Sequence, residues 1–240
     1  MPAARYDAVA DWYGVGDDQS LPATHSLLGL IGSVRGLRAL DLACGHGPIS
    51  RELARRGAAV VGIDLSPRLL ARAREAEYTD QLGITYLAAD ATSTGILNGD
   101  QFDIVVCHFG LTDIDDLDGA LATTARLMAP GGTFVFSILH PCFPGFGETS
   151  GSWPSNGSYW DQGWWRADGS CSVLRRRVGS NHRTLSTYIN ALQRHGLVIT
   201  ALDEPPASET LAAGRPEVAK LPLYLILRCG QQRRDPEGSG

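Results

Sequence analysis

Lysine is almost missing from this chain. Of 21 basic residues only Lys220 is a lysine, and the acids outnumber the bases to leave a net charge of −5. We read the arginine bias as genome composition. No basic tail or broad basic face offers itself to nucleic acid or an anionic membrane. No run approaches the roughly 18 consecutive apolar residues of a membrane span. The opening "MPAARYDAVADWYG" carries acids and aromatics where a signal peptide would be apolar, so a cytoplasmic location is expected. Cysteines are few and unpatterned. Cys44, Cys107, Cys142, Cys171 and Cys229 are odd in number and include no C-x-x-C pair, which fits free thiols in a reducing compartment. A close-spaced ligand set for a metal is missing too. His108, His140 and Cys142 could meet in space, but no metal is expected. There are no internal repeats.

What is present fits one domain. A hydrophobic fraction of 43% and a charged fraction of 20% over 240 residues suit one well-buried core with at most a small insertion. The domain is expected to span 1–230, with a helical cap over about 1–35 and an aromatic-rich insertion over about 141–183. The polar "QQRRDPEGSG" (231–240) reads as a disordered tail and no part of the sheet.

Apolar runs bounded by turn residues predict strands at "LRALDLA" (37–43), "AAVVGID" (58–64), "GITYLAAD" (83–90), "FDIVVCH" (102–108) and "TFVFSIL" (133–139). Between them lie helical patterns. Pro48 opens one, and Ser66 as N-cap with Pro67 opens another. A third covers "IDDLDGALATTARLM" (114–128). Alternation of this kind means a doubly wound α/β sheet, Rossmann-like and mostly parallel. Further on, a helix at "TLSTYINALQRHG" precedes two strands, "LVITALDEP" and "LPLYLILRC", with no convincing helix between them. That pair should be antiparallel, which places one antiparallel strand near the edge of a sheet of seven.

Between the first strand and the following helix the chain reads "DLACGHGPIS". Gly45 and Gly47 would let backbone approach a ligand at a helix N-terminus. A dinucleotide fingerprint wants a third glycine, and Ser50 stands there. A pyrophosphate would also be repelled by Asp41. S-adenosylmethionine has no phosphate and carries an ammonium and a sulfonium, so a carboxylate at Asp41 favours it by roughly 1–3 kcal/mol when partly desolvated. Asp64 ends the second strand where a ribose-binding acid belongs. Asp90 ends the third, placed to accept from an adenine amino group, with the Ala91 N–H beside it. Each acid alone could be a solvated strand end. Three at successive strand ends, one joined to a glycine turn, make a site.

On these residues the chain resembles the class I S-adenosylmethionine-dependent methyltransferases of small-molecule type, over about residues 6–229. "LDLACGHG" matches the family's acid-x-x-x-Gly-x-Gly motif, "VVGIDLS" its ribose-binding strand end, "AAD" its adenine site, and "ARLMAPGGTFVFS" its passage into the fifth strand. His46 departs from the small residue common there, at a place where backbone geometry matters more than the side chain. The resemblance implies S-adenosylmethionine as cofactor, held by Tyr13, Asp41, Cys44, Gly45, Gly47, Asp64, Leu65, Asp90, Ala91 and Cys107. It says little about the acceptor, because fold does not give substrate.

The acceptor side is sought in the long segment after the fifth strand. It holds Trp153, Trp160, Trp164 and Trp165, four of the five tryptophans. A loop of that length is usually functional or disordered, and its aromatics argue against disorder. Trp160, Trp164 and Trp165, with Phe109, are expected to line the site of a planar or apolar acceptor. The plainer reading is a self-packed hairpin with "CSVLRRRV" as one strand. Arg183 would suit an acceptor carboxylate. In the cap, Tyr6, Val9 and Tyr13 share a helical face. For an O–H or N–H acceptor, His140 at the end of the fifth strand is the expected base and His108 the next. The expected activity is methyl transfer to O, N or C of a small aromatic or apolar metabolite, as in secondary metabolism, with neither nucleic acid nor membrane as partner. Two alternatives stay open: an RNA or protein methyltransferase, disfavoured by the acidic balance and by "CHFG" where a Pro-Pro motif would stand, and a cofactor-binding protein that catalyses a cyclisation.

Overall fold

The structure is a computed structural model describing residues 4–14, 22–145, 149–168, 172–214 and 216–232. Seven strands form the central sheet in the order β3-β2-β1-β4-β5-β9-β8. In chain order these are β1 (Arg38–Leu42), β2 (Ala59–Asp64), β3 (Thr85–Ala88), β4 (Phe102–His108), β5 (Met128–Leu139), β8 (Leu197–Asp203) and β9 (Tyr224–Gln231). β1 to β5 run parallel, and β9 lies antiparallel to both β5 and β8. Strand order reverses between β1 and β4, and in such sheets the crevice beyond the carboxyl ends at that point is where ligands bind.

The helices are α1 (Pro22–Ile31), α2 (Pro48–Arg55), α3 (Pro67–Thr79), α4 (Leu117–Leu127), α5 (Val173–Val178), α6 (Leu185–Arg194) and α7 (Glu209–Gly214). The expected Ser66 cap is present, its Oγ accepting from Leu69 N–H at 3.1 Å. Two cores sandwich the sheet. Leu27, Ile31, Leu53 and Leu70 pack with Ile104, Val106 and Val135 on one face. Leu117, Leu121, Tyr188 and Leu192 pack with Leu40, Val105 and Phe136 on the other. Strand pleat decides the side: alternate residues go to opposite faces.

Several local expectations need correction. "CSVLRRRV" contributes a helix, α5, because the Ser172 hydroxyl accepts from Arg175 N–H and Gly179 at φ 67° stops the turn. Two short strands, β6 (Gly163–Trp165) and β7 (Ser180–His182), pair antiparallel in the insertion instead. Between β8 and β9 the chain does find helix, α7 and a single turn at Pro216–Ala219, though both are too short to turn β9 parallel. β5 begins at Met128, with an irregularity opposite Phe102 and Ile104 that absorbs "APGG". Gln231, assigned to the tail, is the last residue of β9 and pairs with Leu197. The rest of the expected tail, from residue 233, lies outside the described residues, as does Cys171. Among the described residues no helix is long and apolar enough to cross a membrane.

Candidate active site

After β1 the chain turns through Ala43 (φ 59°), Gly45 (φ 58°) and Gly47 (φ 87°). Glycine at 47 is required twice over: its φ is left-handed, and a Cβ would stand 2.3 Å from the Tyr86 hydroxyl. Gly45 N–H donates to Asp64 Oδ2 at 2.8 Å, while Ser66 N–H donates to Asp64 Oδ1 at 2.8 Å. The carboxylate is thereby fixed across two strand ends. Burial raises its pKa, and these same backbone donors pull it back down.

Asp41 is buried, and the Ser50 hydroxyl donates to its Oδ2 at 2.6 Å. The residue that spoils a dinucleotide fingerprint is therefore what anchors the acid. Burial pushes the Asp41 carboxyl up to about 7, opposed by the Ser50 hydrogen bond. Asp90 is half-buried and turned back on its own loop, Oδ1 accepting from Thr92 N–H at 2.9 Å and Thr92 Oγ1 at 2.8 Å.

Two adjoining cavities open over these strand ends, with empty volumes of about 1030 and 1160 Å³ counted out to open solvent. The first is walled by Asp64, Leu65, Leu69, Asp90, Ala91 and Thr92, among others. The second is walled by Asp41, Cys44, His46, Leu139, Leu174, Arg175 and Tyr224, among others. Tyr6, Tyr13, Ala43, Gly45, His108, Phe109 and Asp113 face both, so the two are halves of one cleft. Gly47 shapes the turn without lining either half. Cys107 does not line them either. The pleat of β4 sends its side chain to the α4 face of the sheet, where it is fully buried.

His108 lies at the junction with both ring nitrogens engaged: Nδ1 with Ser137 Oγ at 2.7 Å, Nε2 with Thr24 Oγ1 at 3.1 Å. Burial pushes its pKa down to about 4, so the ring is neutral and acts as a wall. Phe109 follows at φ 60°, a conformation costing about 1–3 kcal/mol for a bulky residue. Its N–H donates to Ser137 O at 3.0 Å, and its ring packs on His108 and Tyr224 at centroid distances of 4.4 and 5.8 Å.

The expectation for His140 needs correction. Its ring is buried outside both cavity walls, Nε2 donating to Glu204 Oε1 at 2.8 Å and Nδ1 accepting from Cys142 N–H at 3.1 Å. Both nitrogens are spent on the start of the insertion and on the segment after β8. The tryptophans need correction as well. Trp160 is 76% exposed, Trp164 packs on Gly179 and under Arg166, and Trp165 Nε1 donates to Ser152 O at 2.8 Å. None lines the cleft, because β6 and β7 fold the insertion back on itself. The self-packed reading describes these residues. The insertion reaches the cleft through Thr149, Ser150, Leu174 and Arg175 instead.

Arg183 is likewise away from the cleft. Its Nη1 donates to Leu111 O at 2.8 Å, and its Nη2 donates to Ile114 O at 2.7 Å and Asp115 O at 2.8 Å. It closes the orphan carbonyls of the turn after β4 and has little left for a ligand.

Sequence reasoning missed Asp113 and Arg175. Arg175 Nη1 donates to Asp113 Oδ1 at 2.6 Å and to Gly179 O at 2.9 Å, and the Tyr6 hydroxyl donates to Asp113 Oδ2 at 2.7 Å. Burial alone would lower the Arg175 pKa, but the adjacent Asp113 carboxylate carries it up, so the charge stays. Arg175 Nε is buried with no partner among the described residues, a cost of about 1–3 kcal/mol. The available signal was "LRRRV" read as helix: one arginine of three then turns inward while Arg176 and Arg177 stay exposed. His46, expected to matter through its backbone, also lines the second half of the cleft with its side chain. It faces Tyr13 edge-on at 6.0 Å, and its Nδ1 is buried without a partner among the described residues. Burial, then Arg72, lower its pKa.

A doubly wound sheet with an acid-lined cleft at its switch point defines the class. Residues 40–136 match a methyltransferase-domain family model, and that stretch runs from β1 into β5. An S-adenosylmethionine-dependent methyltransferase from Mesorhizobium loti has a similar structure, with a TM-score of 0.73 and 32% identity over 89% of this chain and 99% of that one. The chain belongs to the class I S-adenosylmethionine-dependent methyltransferases. The ubiquinone biosynthesis O-methyltransferase of Methylococcus capsulatus is 36% identical over 108 residues, 45% of this chain and 46% of that protein. The chain thus spans about half the length of the curated relatives it matches. A (4+2) cyclase shares the fold at a TM-score of 0.61 and 17% identity, covering 88% of this chain and 82% of that one. The family's cofactor is S-adenosylmethionine. The cleft suits a phosphate-free ligand: Gly45 presents an open face, where a Cβ would meet nothing nearer than Leu69 at 3.9 Å, and three carboxylates stand at successive strand ends.

Proposed function

We propose that this protein transfers a methyl group from S-adenosylmethionine to a small organic acceptor held in the Arg175 half of the cleft. The observation that carries this reading is the continuity of the two halves through Tyr13, Gly45, His108 and Phe109. Asp64 receives hydrogen bonds from the ribose hydroxyls, Asp90 and Ala91 hold the adenine edge, and Asp41 faces the methionyl ammonium. The bound cofactor supplies an activated methyl on a sulfonium, transferred by in-line displacement. The chain then contributes chiefly alignment, worth up to about 7–11 kcal/mol in ideal cases, and exclusion of water. Tyr6, Tyr13, Phe109 and Tyr224 give the acceptor half aromatic walls, which favours a planar acceptor.

His46 lines the acceptor half, where its lowered pKa keeps the ring neutral; its Nδ1, without a partner among the described residues, is buried and not open to the cavity. The concave cleft and net charge of −5 favour a small molecule over nucleic acid. Among the described residues Cys44, Cys107, Cys142 and Cys229 are free thiols, which suits a cytoplasmic setting. The test is a metabolite-library screen that reads S-adenosylhomocysteine. Turnover with a small aromatic compound is expected. A protein that binds S-adenosylmethionine and transforms a compound without releasing S-adenosylhomocysteine would retire methyl transfer in favour of a cyclase-like role.

A further inference from the structure

We propose that Arg175 recognises the acceptor, its guanidinium taking a carboxylate carried by the small molecule that enters the cleft. The proposal rests on the reading of this cavity as the acceptor site. Arg175 stands on the cavity wall with its side chain only 5% exposed. One nitrogen, Nη1, makes both of its bonds, to the Asp113 carboxylate and the Gly179 carbonyl. Nε has no partner, and Nη2 makes no hydrogen bond, among the described residues. Buried polar groups are nearly always satisfied, so a charged donor edge left unpaired calls for a reason.

The contrast with Arg183 supplies one. Arg183 braces the turn after β4 and spends its donors on three backbone carbonyls. An arginine kept only as a brace between Asp113 and the insertion would be expected to look the same. Arg175 instead is pinned at Nη1, so the plane of the guanidinium is fixed while Nη2 stays unspent. Nε is buried within the fold, so Nη2 is the donor that would meet a carboxylate oxygen, in a charge-assisted hydrogen bond. Tyr6, which donates to the other Asp113 oxygen, holds the acid in place from the cap. Asp113 cancels the formal charge of Arg175, so selection works through directed donors rather than through net field.

The test uses the full chain saturated with S-adenosylhomocysteine and two probe pairs, benzoate against benzamide and indole-3-acetate against indole-3-acetamide, measured by calorimetry. In the wild type at least one carboxylate should bind tenfold or more tightly than its amide. Arg175→Met should cut that preference below threefold while leaving S-adenosylhomocysteine affinity within twofold. Arg175→Lys, which keeps the charge without the planar guanidinium held at Nη1, should restore only part of it. Because Arg175→Met strands Asp113, a double variant with Asp113→Asn gives the same reading in a neutral site. A wild type without carboxylate preference in either pair, or a preference that survives the loss of Arg175, overturns the proposal. Failure of the wild type to bind S-adenosylhomocysteine at all would overturn the methyl-transfer reading, a separate result.

Discussion

The two halves of the cleft are built in different ways. On the β1–β3 side the fixing hydrogen bonds are short in sequence: Asp64 to Ser66 and Asp90 to Thr92 span two residues, Asp41 to Ser50 nine, and Asp64 to Gly45 nineteen. On the acceptor side they are long: Arg175 to Asp113 spans 62 residues, Arg183 to Leu111 72, and Tyr6 to Asp113 107. One half is settled by turn chemistry at strand ends. The other exists only once remote segments have closed over the sheet. A shared cofactor site can therefore stay constant while the acceptor wall is rebuilt from whatever cap and insertion the chain carries.

Three variants would break or sharpen that contrast. Asp64→Ala should have the largest effect. It removes the ribose acceptor together with the anchor of Gly45 N–H, and should cost about 2–3 kcal/mol, or 30- to 150-fold, in S-adenosylhomocysteine affinity by calorimetry. A change within twofold would remove the ribose assignment.

Asp41→Asn comes next. The Asp41 pKa is raised to about 7, so the carboxyl is about half protonated at neutral pH. A cationic partner binds the ionised form, so affinity should climb as pH rises toward 7 and level off above it. The asparagine variant should show a flat profile over that range and about tenfold weaker binding at pH 8, roughly 1.4 kcal/mol. A wild-type affinity that falls through pH 7 would contradict the placement of a cation at Asp41.

The smallest effect is expected at Trp160→Ala. At 76% exposure the indole covers no cavity wall, so stability should stay within about 0.5 kcal/mol and the preference among acceptor probes should not change. Loss of acceptor binding would return the tryptophans to the site.

The same division decided what could be read from the sequence. Strand ends carrying Asp41, Asp64 and Asp90, the glycine turn, and the antiparallel β9 all follow from patterns within twenty or so residues. The interior of the insertion does not. The arginines of "CSVLRRRV" fit a strand in the plainer reading of the insertion, and only the Ser172 cap with Gly179 as stop makes them a helix with Arg175 inward. Arg183 and His140 illustrate the other failure. Each follows an element in the expected place, but rotamer and partner are set across the fold: carbonyls after β4 claim the arginine, and Glu204 beyond β8 claims the histidine. Residue type and strand end give position without orientation. Aromatic content alone does not say which face of a hairpin the tryptophans cover.

Asp113 has a mechanical meaning beyond its chemistry. The cap is seamed to α3 by Arg68 and Arg72, each donating to carbonyls of the first described segment, and the insertion is seamed to the turn after β4 by Asn181 and Arg183. Between these two flaps stand two carboxylates of one turn: Asp113, fastened to Tyr6 on one side and Arg175 on the other, and Asp115, fastened to Arg5 and Asn181. They work as a pair of rivets. A load that spreads the flaps converges on these two side chains, two residues apart. A molecule wide enough to part them would feel those fastenings first, with the outer seams still holding the flaps to the sheet.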